Sequence, residues 1–135
     1  MQVTYTSFKK AVGYNCKNLE KPFYLLESIY VIVTYANKKL YLKIQEGFLS
    51  DGCTIPKGFR WLMGCPHTGK YLPASIIHDY ILAHPQIVNY KRKLASRIFK
   101  IALLNEGVKP FKAQVMYLAV DLWQAVKNIK TKKWR

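Results

Sequence analysis

Acidic residues are scarce in this chain. Seven Asp and Glu stand against 22 Lys and Arg, a formal net charge of +15 over 135 residues, and Asp51, Asp79 and Asp121 are its three aspartates. Such a field draws nucleic acid, anionic lipid or an acidic protein and raises encounter rates with each of them. Cysteine is sparse too. Cys16, Cys53 and Cys65 form an odd set without a CxxC pair, which excludes the dense disulfide framework of small secreted domains and implies a reducing interior. Long apolar runs are missing: the longest, Phe23 to Ala36, is interrupted by Glu27 and is too short to cross a bilayer. No apolar segment follows a basic N-terminal region, so the expectation is a soluble, unprocessed protein with no transmembrane segment or signal peptide.

What is present is a foldable composition. Half the residues are hydrophobic and ten are Tyr, far from the signature of disorder, and the length suits a single domain over residues 1–135 with one hydrophobic core. The positive charge is uneven. Residues 91–135 carry 12 basic and 2 acidic residues, against 10 and 5 in residues 1–90.

Residues 1–50 read as a small antiparallel sheet, because Tyr, Val, Ile, Thr and Phe dominate between turn residues. Strands are expected at Val3 to Thr6, Phe23 to Tyr35 and Lys39 to Ile44, with Ala36-Asn37-Lys38 as a hairpin turn. Leu40, Leu42 and Ile44 alternate with Lys39, Tyr41 and Lys43, so one face packs and the other meets solvent. Residues 47–69 form a loop-rich segment with Pro56 and Pro66, of the kind that more often carries function than decoration. Three helices follow, at about Leu72 to Ala83, Tyr90 to Asn105 and from near Pro110. In the last, Phe111, Val115, Leu118, Leu122 and Val126 lie on one stripe, read as its packed face. The chain closes in a frayed basic tail over residues 131–135. The fold class is α+β, strands first and helices after.

The residues that bear on chemistry cluster in two places. On the first helix, His78-Asp79 is an ionisable pair in an apolar stretch, and buried carboxylates need a partner. In the loop, Asp51 and Thr54 lie in Asp51-Gly52-Cys53-Thr54-Ile55-Pro56, where Asp-Gly is a turn former and also a source of a second carboxylate. If loop and helix meet, Asp51, Thr54, His78 and Asp79 form a catalytic set. His78, Asp79 and Asp51 would then hold a divalent metal as the cofactor. Cys53, Cys65, His67 and His78 are an alternative zinc set of irregular spacing, and His67, His78, Asp79 and Asp121 loosely match the ligands of HD-type phosphohydrolases. On the basic third, Lys91, Arg92, Lys93, Arg97, Lys130, Lys132, Lys133, Trp134 and Arg135 are the candidate binding residues, cations for phosphates and Trp134 for stacking.

The ordered motifs Asp51-Gly52-Cys53-Thr54-Ile55-Pro56, Gly69-Lys70-Tyr71 and Ala74-Ser75-Ile76-Ile77-His78-Asp79-Tyr80 resemble the signature of a small phage and prophage family of uncharacterised function, over about Phe48 to Val120. The resemblance implies a phage or prophage origin, with residence in the host cytoplasm or the particle and other phage proteins as partners. It supplies no activity. Where that family places Asp in an Ala-Asp-Arg helix motif, this chain has Ala95-Ser96-Arg97, which removes a carboxylate from any three-Asp metal site.

Two functions stand open, and with them whether the chain is an enzyme. One is a non-enzymatic virion component or host-directed binder that sets its positive face on nucleic acid or an acidic partner. The other is a metal-assisted, hydrolase-like protein with a His-Asp pocket.

Overall fold

The computed structural model describes residues 1–18, 20–50 and 70–135. Asp51 and Thr54, with Cys53, Cys65 and His67, lie outside the described residues. The chain divides into two compact units, Met1–Gly52 and Cys53–Arg135, and the architecture is α+β.

The N-terminal unit contains β1 (Gln2–Tyr5), β2 (Val12–Tyr14), β3 (Phe23–Leu25), β4 (Ile29–Tyr35), β5 (Lys38–Ile44) and β6 (Leu49–Ser50). They pair antiparallel in two three-stranded sheets, of order β1-β4-β5 and β2-β3-β6. The single strand expected from Phe23 to Tyr35 is two strands in different sheets. Leu25 exchanges main-chain hydrogen bonds with Gly47 and Phe48, and the Leu26 N–H reaches Ala11 O, after which the chain bends and β4 joins β1. Hydrophobicity alone runs through such a bend unmarked. The alternation expected in β5 holds: Leu42 and Ile44 are buried with Ile29, Val31 and Val33, while Lys39, Tyr41 and Lys43 are exposed. β4 and β5 are joined by Ala36 and Asn37, with φ of 47° and 60°, the signature of a two-residue type I′ turn.

In the C-terminal unit the described elements are α1 (Leu72–Ala83), a 3₁₀ turn (Pro85–Val88), α2 (Arg92–Asn105) and α3 (Pro110–Thr131). α2 packs on both α1 and α3. Pro73 is tolerated in the first turn of α1, where its missing N–H costs nothing, and Pro85 follows its end. At the end of α2, Gly107 has a φ of 87°, the Val108 N–H bonds to Leu103 O and the Gly107 N–H to Leu104 O, a Schellman closure.

Three expectations are corrected here. The second helix starts at Arg92 rather than Tyr90, because Asn89 and Tyr90 are both left-handed (φ 53° and 59°) and cannot continue a right-handed helix. On α3 the buried residues are Ala113, Met116, Ala119, Val120 and Gln124, whereas Phe111, Leu118, Leu122 and Val126 are exposed. That helix is apolar on two sides, and periodicity could not say which turns inward. The residues after α3 are not frayed: Lys132 turns the chain with a φ of 53°, and Arg135 pairs through its backbone with Tyr90 and Arg92.

Candidate functional site

His78 lies in the middle of α1, within a run from Pro73 to His78 that is buried throughout. Its side chain is 1% exposed and packs against Phe99 of α2, ring centroids 5.3 Å apart. Among the described residues neither Nδ1 nor Nε2 has a hydrogen-bond partner. Burial, and secondarily the positive charge of Lys127, lower its pKa from 6.5 to about 3. The imidazole is therefore neutral near pH 7, poorly matched to proton transfer but in the form that ligates metals. Asp79 is half-buried and already engaged with another group. Ser75 is buried on the same helix. At the helix end His84 Nδ1 lies 3.1 Å from Tyr80 O, which requires the ring to donate; this is the expected interaction with the last carbonyls. Among the described residues no three His, Cys, Asp or Glu side chains converge as a metal site.

Asp121 is committed elsewhere. Arg92 Nη1 lies 3.1 Å from its Oδ2 and donates to its main-chain carbonyl at 2.8 Å. Ser96 Oγ is 3.0 Å from Asp121 Oδ1 and 3.2 Å from Arg92 O, and its single proton serves one acceptor at a time. The serine that replaces an expected carboxylate is thus part of a tie between α2 and α3. Sequence reasoning missed this set. The available signal was the spacing of Arg92 and Ser96, one helical turn apart on the same face.

The C-terminal segment, which carries Lys132, Lys133 and Arg135, closes on the residues that open α2. The Arg135 N–H bonds to Tyr90 O at 2.6 Å, and the Arg92 N–H bonds back to Arg135 O at 3.3 Å. Asn128 clamps the same segment, its Oδ1 accepting from the Trp134 N–H at 2.7 Å and its Nδ2 donating to Trp134 O at 2.9 Å. The Trp134 ring meets Tyr90 edge to face, centroids 6.4 Å apart. This brings Arg135, with Lys132 and Lys133 just before it, beside Lys91 and Lys93 at the start of α2, all five exposed. Arg97, one turn further along α2, and Lys130, on the last turn of α3, are exposed as well. Arg92 is half-buried by its pairing, and Trp134 is half-buried rather than free. α2 has no side-chain N-cap and opens on Lys91, Arg92 and Lys93, cations at the end of a helix where the backbone dipole already favours an anion.

Fold and site define a small α+β protein whose helical unit gathers positive charge at one corner. Residues 28–120 match the family described as Protein of unknown function (DUF1353), and the chain belongs to that family. It is also 33% identical over 89 residues to the uncharacterized protein y4jT of Sinorhizobium fredii (strain NBRC 101917 / NGR234), covering 66% of this chain. The match spans 26% of that relative, about a quarter of its length. No solved structure matches the chain. Among the described residues no helix is long and apolar enough to cross a membrane. The family match takes in α1 and α2 and stops at Val120, short of Asp121, Asn128 and the clamped tail.

Proposed function

We propose that this chain is a non-enzymatic binding protein of phage or prophage origin, a virion component or host-directed binder, that grips nucleic acid through its basic corner. The observation that carries the reading is the convergence of Lys91, Lys93, Lys132, Lys133 and Arg135, held together by the Asn128 clamp and the Arg135 backbone pairing. Asp121, whose carboxylate lies beside Arg92, is neutralised by it. Lysines suit phosphates as point charges, and the partly exposed indole of Trp134 is of the type on which bases stack. The test is fluorescence anisotropy with labelled single- and double-stranded DNA. Binding should weaken on the order of a hundredfold between about 50 and 200 mM salt. Replacing Lys91, Lys93, Lys132 and Lys133 by Gln should flatten that slope. A salt-independent or absent signal overturns nucleic acid as the target and leaves an acidic protein.

A second reading rests on His78. Two ring nitrogens without a partner among the described residues, in a buried site, are what a ligand would satisfy, so a hydrolase-like pocket of Asp51, Thr54, His78 and Asp79 is the alternative, with a divalent metal held by His78, Asp79 and Asp51. It requires the loop to meet α1. Metal analysis of the purified protein and melting with and without a chelator test it; no metal and no chelator effect overturn it.

A further inference from the structure

α3 carries an apolar seam on the side away from α2. Phe111 is 82% exposed, Leu118 55%, Leu122 58% and Ile129 73%, with Val115 and Ala125 half-buried between them. Positions 111, 115, 118, 122, 125 and 129 advance by alternating steps of four and three, the a/d spacing by which one helix packs along another. Monomers rarely leave contiguous apolar patches above a few hundred Å². Summed over its residues this one exposes on the order of 500 Å², so two copies placed seam to seam could bury up to roughly 1,000 Å², the lower limit for a specific interface.

We propose that this seam is the interface with a second copy of the same chain, the two α3 helices running antiparallel. A two-fold axis near Val120 then sets Leu118 against Leu122, Phe111 against Ile129 and Val115 against Ala125 of the other copy, so one patch completes itself. The antiparallel direction follows from charge. Lys127, Lys130, Lys132, Lys133 and Arg135 crowd one end of α3, and reversing the second helix keeps the two basic ends roughly 27 Å apart, beyond the screening length of about 8 Å. A lipid surface fits less well. Lysines (Lys112, Lys130) border one margin only, the other carrying Gln114, Asn128 and the paired Asp121.

Sedimentation equilibrium of the full chain, from about 1 to 200 μM, tests this. A monomer–dimer equilibrium is expected, tightening as salt rises because the residual repulsion between like-charged copies is screened, the opposite of the salt dependence of nucleic-acid binding. Leu118→Glu and Leu122→Lys should each weaken the dimer on the order of a hundredfold, since each buries an unpaired charge. An equimolar mixture should regain association, because position 118 of one copy meets position 122 of the other. Both positions are exposed, and unchanged melting by circular dichroism confirms that each variant folds. A chain that stays monomeric over the whole range, or a dimer indifferent to both substitutions, overturns the proposal. Loss in each variant without recovery on mixing overturns the antiparallel register. Binding of a monomeric chain to phosphatidylserine vesicles, abolished by Leu118→Glu, overturns it in favour of a lipid surface.

Discussion

Arg92 grips Asp121 at two points, 3.1 Å from a carboxylate oxygen and 2.8 Å from the main-chain carbonyl of the same residue. The pair is mostly shielded from water, with side chains 19% and 16% exposed, and Ser96 approaches the other carboxylate oxygen. It joins the first turn of α2 to the middle of α3, two helices also linked by Lys100 of α2 over the ring of Tyr117 of α3.

Arg92→Ala should therefore destabilise the protein by about 1–3 kcal/mol, between the cost at an exposed ion pair and at a fully buried one, because it strands the Asp121 carboxylate. Ser96→Asp should cost at least as much, since it sets a second carboxylate against Asp121. Urea unfolding of both variants and of Arg92→Ala/Asp121→Ala checks this. A double variant whose loss is clearly smaller than the sum of the singles measures the coupling.

His78 predicts a pH dependence with a definite sign. Its folded pKa of about 3 lies below the ordinary 6.5, so as pH falls the unfolded chain takes up the proton first. The stability it contributes is complete above about pH 6.5 and drains away between there and pH 3, by about 1.4 kcal/mol per unit at the steepest. His78→Leu removes two buried nitrogens that have no partner among the described residues and should be near neutral at pH 7. Melting temperatures of the two proteins from pH 7 to pH 4 should diverge, wild type falling faster. Parallel curves would refute the buried, neutral assignment.

The sequence made the helices legible because their punctuation is local. Pro73, Pro85, Gly107 and Pro110 mark boundaries within a residue or two of those observed, and α1 is read at Leu72 to Ala83, as found. The alternation in β5 is equally local. What escaped depends on long-range choices. The split of Phe23 to Tyr35 between two sheets is decided by pairing with Gly47, Phe48 and Ala11. On α3 hydrophobicity points to the wrong face, because Leu118 and Leu122 are more hydrophobic than Ala113 and Ala119, although the small residues are the ones buried. The order of the tail is not legible in composition, because no composition rule foresees an asparagine side chain closing on the backbone of Trp134. Of the candidate site, the burial of His78 was foreseeable from its apolar neighbours, whereas the burden carried by Asp121 was not, since its partners lie 25 and 29 residues away.

The β4–β5 turn offers a gain in stability. Ala36 occupies the left-handed region at a cost of roughly 1–2 kcal/mol for a residue with a Cβ and no compensating polar side chain. Ala36→Asn with Asn37→Gly supplies the pair that a type I′ turn prefers. A rise of about 1 kcal/mol in unfolding free energy is expected, without change in the exposed face of the hairpin. A drop would mean that the turn is not type I′ in solution.

Asn128 is the hinge pin of the basic corner. Its amide makes two hydrogen bonds to the backbone of Trp134, at 2.7 and 2.9 Å, and these hold the segment whose last residue pairs with Tyr90 and Arg92. Asn128→Ala removes both bonds, worth about 1–2 kcal/mol together. The loss should be local: the amides of Trp134 and Arg135 should exchange about tenfold or more faster, and the Trp134 emission should shift to the red. Global melting should move far less, because the apolar contacts between α2 and α3 survive. If Lys132, Lys133 and Arg135 act together with Lys91 and Lys93, the same variant should also weaken DNA binding, though it removes no charge. Leu104→Asn, on the exposed end of α2, is the control that should leave binding unchanged. Weakened affinity in Asn128→Ala with an intact charge count would show that the corner binds as an assembled surface, and unchanged affinity would show that the cations act independently of their arrangement.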